Sequence, residues 1–230
     1  MPDGLALFRD DISGSGAPDF RAERAAARPE GVKRGLDLGT ALLLLAVLAP
    51  LLLLLFVAVR LDGGAALFGH PRVGRGGRVF RCLKFRSMRP DADAALAELL
   101  RTDPGARAEW EATRKLRRDP RVTALGRFLR VSSLDELPQL FNVLRGEMSL
   151  VGPRPVTKDE LSTFYGADAR WYVQVRPGLT GPWQVSGRSA TGYAERVRLD
   201  VDYVRNPSVR RDLALLGRTV GAVLKGRGAC

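Results

Sequence analysis

Two cysteines (Cys82 and Cys230) and a single histidine (His70) are a thin supply in 230 residues. Neither a disulfide framework nor a thiolate or imidazole metal site can be built from them, so any metal must be a hard cation held by carboxylates. The chain has no internal repeat and no GxGxxG or GxxxxGKS/T stretch, which removes the glycine-rich phosphate loops of dinucleotide-binding and P-loop proteins. Aromatic residues are 7% of the chain and fall mostly at apolar helix positions. The basic–aromatic stripe of a nucleic-acid binder is therefore missing, and no nucleic-acid partner is expected. Long hydrophobic runs are also lacking, with one exception.

That exception lies between Leu38 and Val59, which carry no charge and a single proline, Pro50, near their middle. At ~1.5 Å per helical residue the run reaches ~33 Å, about the thickness of a bilayer's hydrocarbon core. Cations flank both ends: Arg21, Arg24, Arg28, Lys33 and Arg34 before it, and Arg60, Arg72, Arg75, Arg78 and Arg81 after it. Lys and Arg prefer the cytoplasmic side, so a helix spanning once would strand one cluster. A helix that enters, breaks and leaves on one face would strand neither, and Ala49–Pro50 is the expected break, because proline removes a donor and clashes with the preceding turn. A kinked single-pass anchor is the alternative, since prolines are tolerated in spanning helices. A cleaved signal peptide is not expected, because the run starts late and Arg60-Leu61-Asp62 stands where small residues should be.

Three segments follow. Residues 1–32 read as a flexible tail, 33–61 as a re-entrant membrane helix broken near Pro50, and 62–230 as one membrane-associated catalytic domain. The net charge of +12 suits anionic partners such as phospholipid surfaces and nucleotide diphosphates. The fold expected is mainly α with a small β-hairpin: a monotopic membrane protein with a re-entrant helix and interfacial amphipathic helices. His70 to Arg86 alternates about Gly76-Gly77 and predicts the hairpin, with Phe80 and Cys82 on one face. Helices are expected over 91–101, 106–118, 122–130, 137–144 and 158–164, and on both sides of Asn206-Pro207-Ser208. Leu125, Phe128 and Leu129 beside Arg127 and Arg130 suit a helix lying in a membrane interface or covering a soluble core. Gly152-Pro153-Arg154-Pro155 and Arg176 to Trp183 read as loops.

Ser133-Leu134-Asp135-Glu136-Leu137-Pro138-Gln139 is the strongest local candidate for chemistry. Of two adjacent carboxylates at a helix start, one can attack while the other binds a cation. Unpaired amides there would keep an aspartate ionised. The competing reading is a capping box from Ser133 to Glu136, which Pro138 complicates by falling in the second turn. Lys84 and Arg86 in Lys84-Phe85-Arg86-Ser87-Met88 suit a phosphate clamp or a lipid head group. Arg154, held between Pro153 and Pro155, is suited to bidentate phosphate contact or is a surface turn. Asp91-Ala92-Asp93 and Asp200-Val201-Asp202 are metal-binding strings that also arise by chance.

In this order, the proline-bearing apolar helix, Lys84–Met88, Asp135–Gln139, Gly152–Pro155 and Arg176-Pro177-Gly178-Leu179-Thr180-Gly181 resemble the bacterial sugar transferases, the monotopic phosphoglycosyl transferases. The resemblance runs from about Lys33 to the end. Ala92–Arg118 and Ala169–Val175 look most like the exopolysaccharide branch that starts repeat units with galactose. The resemblance implies that Asp135 attacks the β-phosphate of a UDP-sugar, releasing UMP, and that Glu136 binds Mg²⁺. It implies that Asp200 is a further active-site carboxylate and metal ligand. Lys84, Arg86, Pro153, Arg154, Pro155, Arg176, Gly178 and Thr180 then surround phosphate and nucleotide. The acceptor implied is undecaprenyl phosphate, and the place is the bacterial inner membrane with the domain facing the cytoplasm. Membrane lipids are partners, and a homo-oligomer stays open. The family's usual Ser-Pro break is Ala49-Pro50 here, which lacks the hydroxyl that could satisfy a freed carbonyl. Two other classes remain: a non-enzymatic basic membrane module, and a glycosyltransferase that would release UDP.

Overall fold

The uncharged run forms the middle of one long helix, α1 (Glu30–Leu61). The structure, a computed structural model, describes residues 30–113, 116–117, 119–186 and 192–224. The expected tail therefore lies almost wholly outside the described residues. At ~1.5 Å per residue the 32 residues of α1 extend ~48 Å. The break expected at Ala49–Pro50 does not end the helix, which continues on both sides with Pro50 inside it. Proline removes a single amide donor, and the Leu-rich turns around it favour helix strongly enough to continue.

Burial along α1 is confined to its ends. Asp37 and Ala41 are buried near one end, Leu55 and Val59 near the other. From 42 to 54 no residue is buried, and Leu42, Leu43, Val47, Leu53 and Leu54 are exposed. Both ends meet the same domain. Ala41 joins the main core with Phe80, Cys82, Leu140, Val143, Leu150 and Tyr203. Leu55 and Val59 join a smaller cluster with Ala66, Phe85 and Leu129.

The two clusters share one strand. β1 (Leu67–Val73) and β2 (Val79–Phe85) form the expected antiparallel hairpin, with His70 opposite Cys82. Alternation puts Phe80 and Cys82 inward, into the main core, while Phe85 reaches the smaller cluster. After the hairpin come α2 (Ala92–Thr102) and α3 (Pro104–Thr113), which pair with each other. Asp103-Pro104 both stops α2 and starts α3, since Asp103 Oδ1 accepts from the Ala106 amide and proline fits a first turn.

α4 (Ala124–Ser132) is capped by Thr123, whose side chain accepts from the Gly126 amide. It buries Leu129 and leaves Phe128 and Val131 exposed beside Arg127 and Arg130. α5 (Gln139–Arg145) is short and buries Gln139, Leu140, Asn142 and Val143, with Phe141 and Arg145 exposed. β3 (Ser149–Val151) follows, then a short α6 (Lys158–Glu160) opened by a Thr157–Glu160 capping box, and α7 (Ala169–Tyr172). β4 (Gly178–Thr180) pairs with β3 in parallel where a plain loop was expected. α8 (Pro182–Val185), α9 (Tyr193–Arg205) and α10 (Val209–Leu224) complete the chain, with the α9–α10 break at the expected Asn-Pro-Ser.

Candidate active site

Asp135 and Glu136 sit on a single 3-10 turn, Leu134–Glu136, between α4 and α5. Ser133 makes no capping bond there, so the capping-box reading fails. It holds a left-handed conformation at φ 58°, the one non-glycine residue with positive φ among the described residues, and it ends α4. The chain thus turns sharply just before the carboxylates. Pro138 is not in a second turn; it precedes α5, where its missing amide costs little.

The turn faces β2. Lys84 Nζ donates to Glu136 Oε1 at 2.8 Å and lies 3.5 Å from Asp135 Oδ2. Arg154 Nη2 approaches Glu136 Oε1 at 3.8 Å from the other side. Two adjacent carboxylates therefore lie between two cations, an arrangement that accepts a diphosphate once the cations exchange partners. Asp135 is 8% exposed, and burial raises its carboxyl above the usual range, opposed in part by Lys84. The expectation that free helix amides would hold its carboxyl down is not met: burial outweighs the opposing ammonium of Lys84, and the net shift is upward.

Arg154 owes its place to the segment around it. The Gly152 amide donates to Thr180 O at 2.9 Å, and the Gly178 amide to Pro153 O at 2.8 Å. A side chain at Gly178 would overlap the backbone of Gly152, so glycine is required for this crossing. Beyond Pro155, Val156 donates its amide to Tyr172 Oη, which donates in turn to Val73 O. Arg154 also stands over the Trp183 ring, its Cζ 5.6 Å from the centroid, while Arg196 stands 4.9 Å from the same ring.

Several residues expected at the substrate are spent inside the protein. The Arg86 guanidinium donates to the carbonyls of Val59, Ala65 and Met88, which ties the end of α1 to β2. Arg176 Nε donates to Gly146 O, and Thr180 Oγ1 hydrogen-bonds Thr219 Oγ1. With Gly178 they brace the Arg154 loop from behind.

Asp200 is enclosed within the domain. Its carboxylate is 1% exposed, accepts from Tyr165 Oη at 2.7 Å and lies 3.9 Å from Arg196 Nε. Burial raises its carboxyl to about 6. Its other oxygen, Oδ1, is buried without a hydrogen-bond partner, and among the described residues no cluster of three or more acidic, His or Cys side chains surrounds it. Asp200 supports Arg196, whose Nη2 reaches Arg154 O at 3.4 Å.

A family profile described as bacterial sugar transferase matches residues 28–226. The chain belongs to the bacterial sugar transferase family. It is 51% identical over 231 residues to an undecaprenyl-phosphate galactose phosphotransferase of Salmonella typhimurium, covering 98% of this chain and 48% of that one. It is 50% identical over 210 residues to the exopolysaccharide production protein ExoY of Sinorhizobium fredii, covering 90% and 92%. A UDP-glucose:undecaprenyl-phosphate glucose-1-phosphate transferase of Caulobacter vibrioides is 43% identical over 201 residues, covering 84% and 69%. The chain spans about half the length of several curated relatives it matches, the Salmonella protein among them.

Within this family member, sequence reasoning missed Trp183, Arg196 and Tyr165, which back the Arg154 loop, and Asp37, which is buried in α1. Arg196 and Asp200 are four apart on α9, a spacing that marks a helical ion pair. Asp37 was legible as an acid beside an apolar run, where acids are costly.

Proposed function

We propose that the protein transfers a hexose-1-phosphate, galactose-1-phosphate first among candidates, from a UDP-sugar to undecaprenyl phosphate with release of UMP. The observation that carries this is the Asp135–Glu136 turn set between Lys84 and Arg154, at the foot of a membrane-length helix. The names of the Salmonella and Caulobacter relatives support the lipid acceptor, and the higher identity to the Salmonella one supports galactose over glucose.

In the reading we favour, an Asp135 carboxylate oxygen attacks the β-phosphorus. The bond from that phosphorus to the oxygen bridging towards UMP breaks, and UMP leaves with the electron pair. An oxygen of the polyprenyl phosphate then attacks the same phosphorus and frees Asp135. Lys84, between the two carboxylates, opposes the burial that favours a protonated Asp135 and meets the incoming phosphate. Arg154, fixed by its loop, orients the diphosphate. Glu136 would hold Mg²⁺ with substrate phosphate oxygens, since that ion takes one or two carboxylates and completes its shell elsewhere; Asp200 lies outside this set. When bound, the ion offsets diphosphate charge.

Two features support a site at head-group depth, with α1 entering and leaving on the cytoplasmic face of the inner membrane. Both ends of α1 are buried on one domain, while the middle packs one face against it through Leu44, Leu45, Leu51 and Leu52 and leaves Leu42, Leu43, Val47, Leu53 and Leu54 exposed. α4, next to the second end, turns Phe128 and Val131 outward beside Arg127 and Arg130, as an interfacial helix does. The decisive test gives the full chain in membranes undecaprenyl phosphate and a panel of UDP-sugars and assays UMP. UMP release with UDP-galactose, with lipid-linked phosphosugar as product, is expected; UDP release would identify a glycosyltransferase instead.

A further inference from the structure

The first described turns of α1 carry three charged residues directed into the domain, where a simple anchor would need none. β3 pairs with β4 on one edge and has no strand on the other. An open strand edge inside a protein leaves backbone groups that must find partners. Side chains of α1 supply them. Asp37 Oδ1 accepts from the Leu150 amide at 3.0 Å, and Lys33 Nζ donates to Val151 O at 3.0 Å. Lys33 Nζ also donates to Asp212 Oδ2 at 2.8 Å, while Tyr203 Oη donates to Asp212 Oδ1 at 2.6 Å. Between these, Arg34 donates to the carbonyls of Val143 and Leu144 at 2.7 and 3.0 Å, at the C-terminal end of α5.

One segment of α1 thus grips two elements that hold opposite sides of the site. Arg154 follows β3 by three residues, and the turn bearing Asp135 and Glu136 leads into α5. We propose that Asp37 is a positioning residue for the transfer reaction: with Arg34 holding α5, it fixes β3 so that Arg154 faces Glu136 at working distance. Asp37 is 5% exposed, and a carboxylate is buried at a cost that anchoring alone does not require. At the far end of the helix the same logic recurs, with Arg86 tying Val59 O to the strand that carries Lys84. The membrane helix is therefore part of the frame of the site. This inference rests on the reading of Arg154 as a substrate-facing cation.

The test uses the full chain in nanodiscs, comparing Asp37→Asn, which keeps an acceptor oxygen, with Asp37→Ala, which does not. Asp37→Ala should insert normally yet raise KM for the UDP-sugar about tenfold per folded molecule, with Asp37→Asn within about threefold of the parent. On an Arg154→Ala background, Asp37→Ala should cost little more, because the two act through one contact. Activity lost only in proportion to the folded fraction, with KM unchanged, would overturn the proposal, as would full additivity with Arg154→Ala. If Asp37→Ala does not fold, Lys33→Met removes the neighbouring bond to β3 and is read by the same criteria. An Arg154→Ala enzyme with parental kinetics would show the reading of Arg154 to be at fault, and the proposal would fall with it.

Discussion

Lys84 Nζ and Glu136 Oε1 are 2.8 Å apart although 52 residues separate them in the chain. The hairpin brings the ammonium to the carboxylate turn, and the same nitrogen lies 3.5 Å from Asp135 Oδ2. A cation shared by two acids opposes the burial that favours a protonated Asp135. It also leaves both acids able to exchange that partner for a metal ion, and the ammonium able to turn to a phosphate.

Asp135→Asn keeps the shape of the turn and removes the nucleophile. Turnover should fall by about a thousandfold or more with thermal unfolding little changed. The parent given UDP-sugar alone should release UMP and gain hexose phosphate on the peptide containing Asp135, and the variant should do neither. An active Asp135→Asn enzyme would end the covalent scheme. Glu136→Gln should weaken the Mg²⁺ dependence along with the rate.

The buried Asp200 gives a pH signature. Its carboxyl is raised to about 6 in the fold from an ordinary value of 3.8, so between these values the folded state holds a proton that the unfolded chain has lost. The stability this group contributes is complete below about 4 and declines as the pH rises towards 6. Asp200→Asn cannot ionise and should flatten that part of the stability–pH curve in denaturant titrations. A curve unchanged by the substitution would show that Asp200 is not the group responsible.

Topology can be read with single cysteines at Val32 and Arg78, both exposed and on opposite sides of the apolar stretch. Cys82 is buried with its thiol pushed up to about 11, so it should stay silent to maleimides once Cys230 is replaced. Both labels should react from the cytoplasmic side alone. Periplasmic reaction at Val32 would establish a spanning helix.

Gly178→Ala separates support from substrate contact. The added methyl would overlap the Gly152 backbone, which cannot yield as a flexible side chain would. The expected result is a loss of several kcal/mol, on the order of 3 or more, seen as a lower unfolding midpoint. A stable Gly178→Ala protein with impaired UDP-sugar binding would return this residue to the substrate.

The hairpin, the α9–α10 break and the long apolar helix α1 were legible because each follows from local rules of alternation, proline and hydropathy. β3 and β4 were not, since each has three residues and their pairing depends on a close backbone crossing at Gly152 and Gly178. Motif order singled out Lys84, Asp135, Glu136 and Arg154 as candidates, but their convergence, which the hairpin creates, could not be read from it. The two carboxylates of the Asp-Val-Asp string diverge, as neighbours two apart on a helix must. Asp200 points inward to Tyr165, and Asp202 pairs outside with Arg211 at 2.6 Å.

The grip of α1 on β3 also fixes an order of events during synthesis. Asp37 lies 113 residues before its partner Leu150, and Lys33 lies 179 before Asp212. At ~5–20 residues per second, roughly ten seconds pass between emergence of the helix and of the strand it will hold. Through that interval the apolar stretch can already sit in lipid while Lys33, Arg34 and Asp37 remain in water, too polar to follow it. They would halt insertion at the membrane surface and wait there as the socket on which the later domain closes.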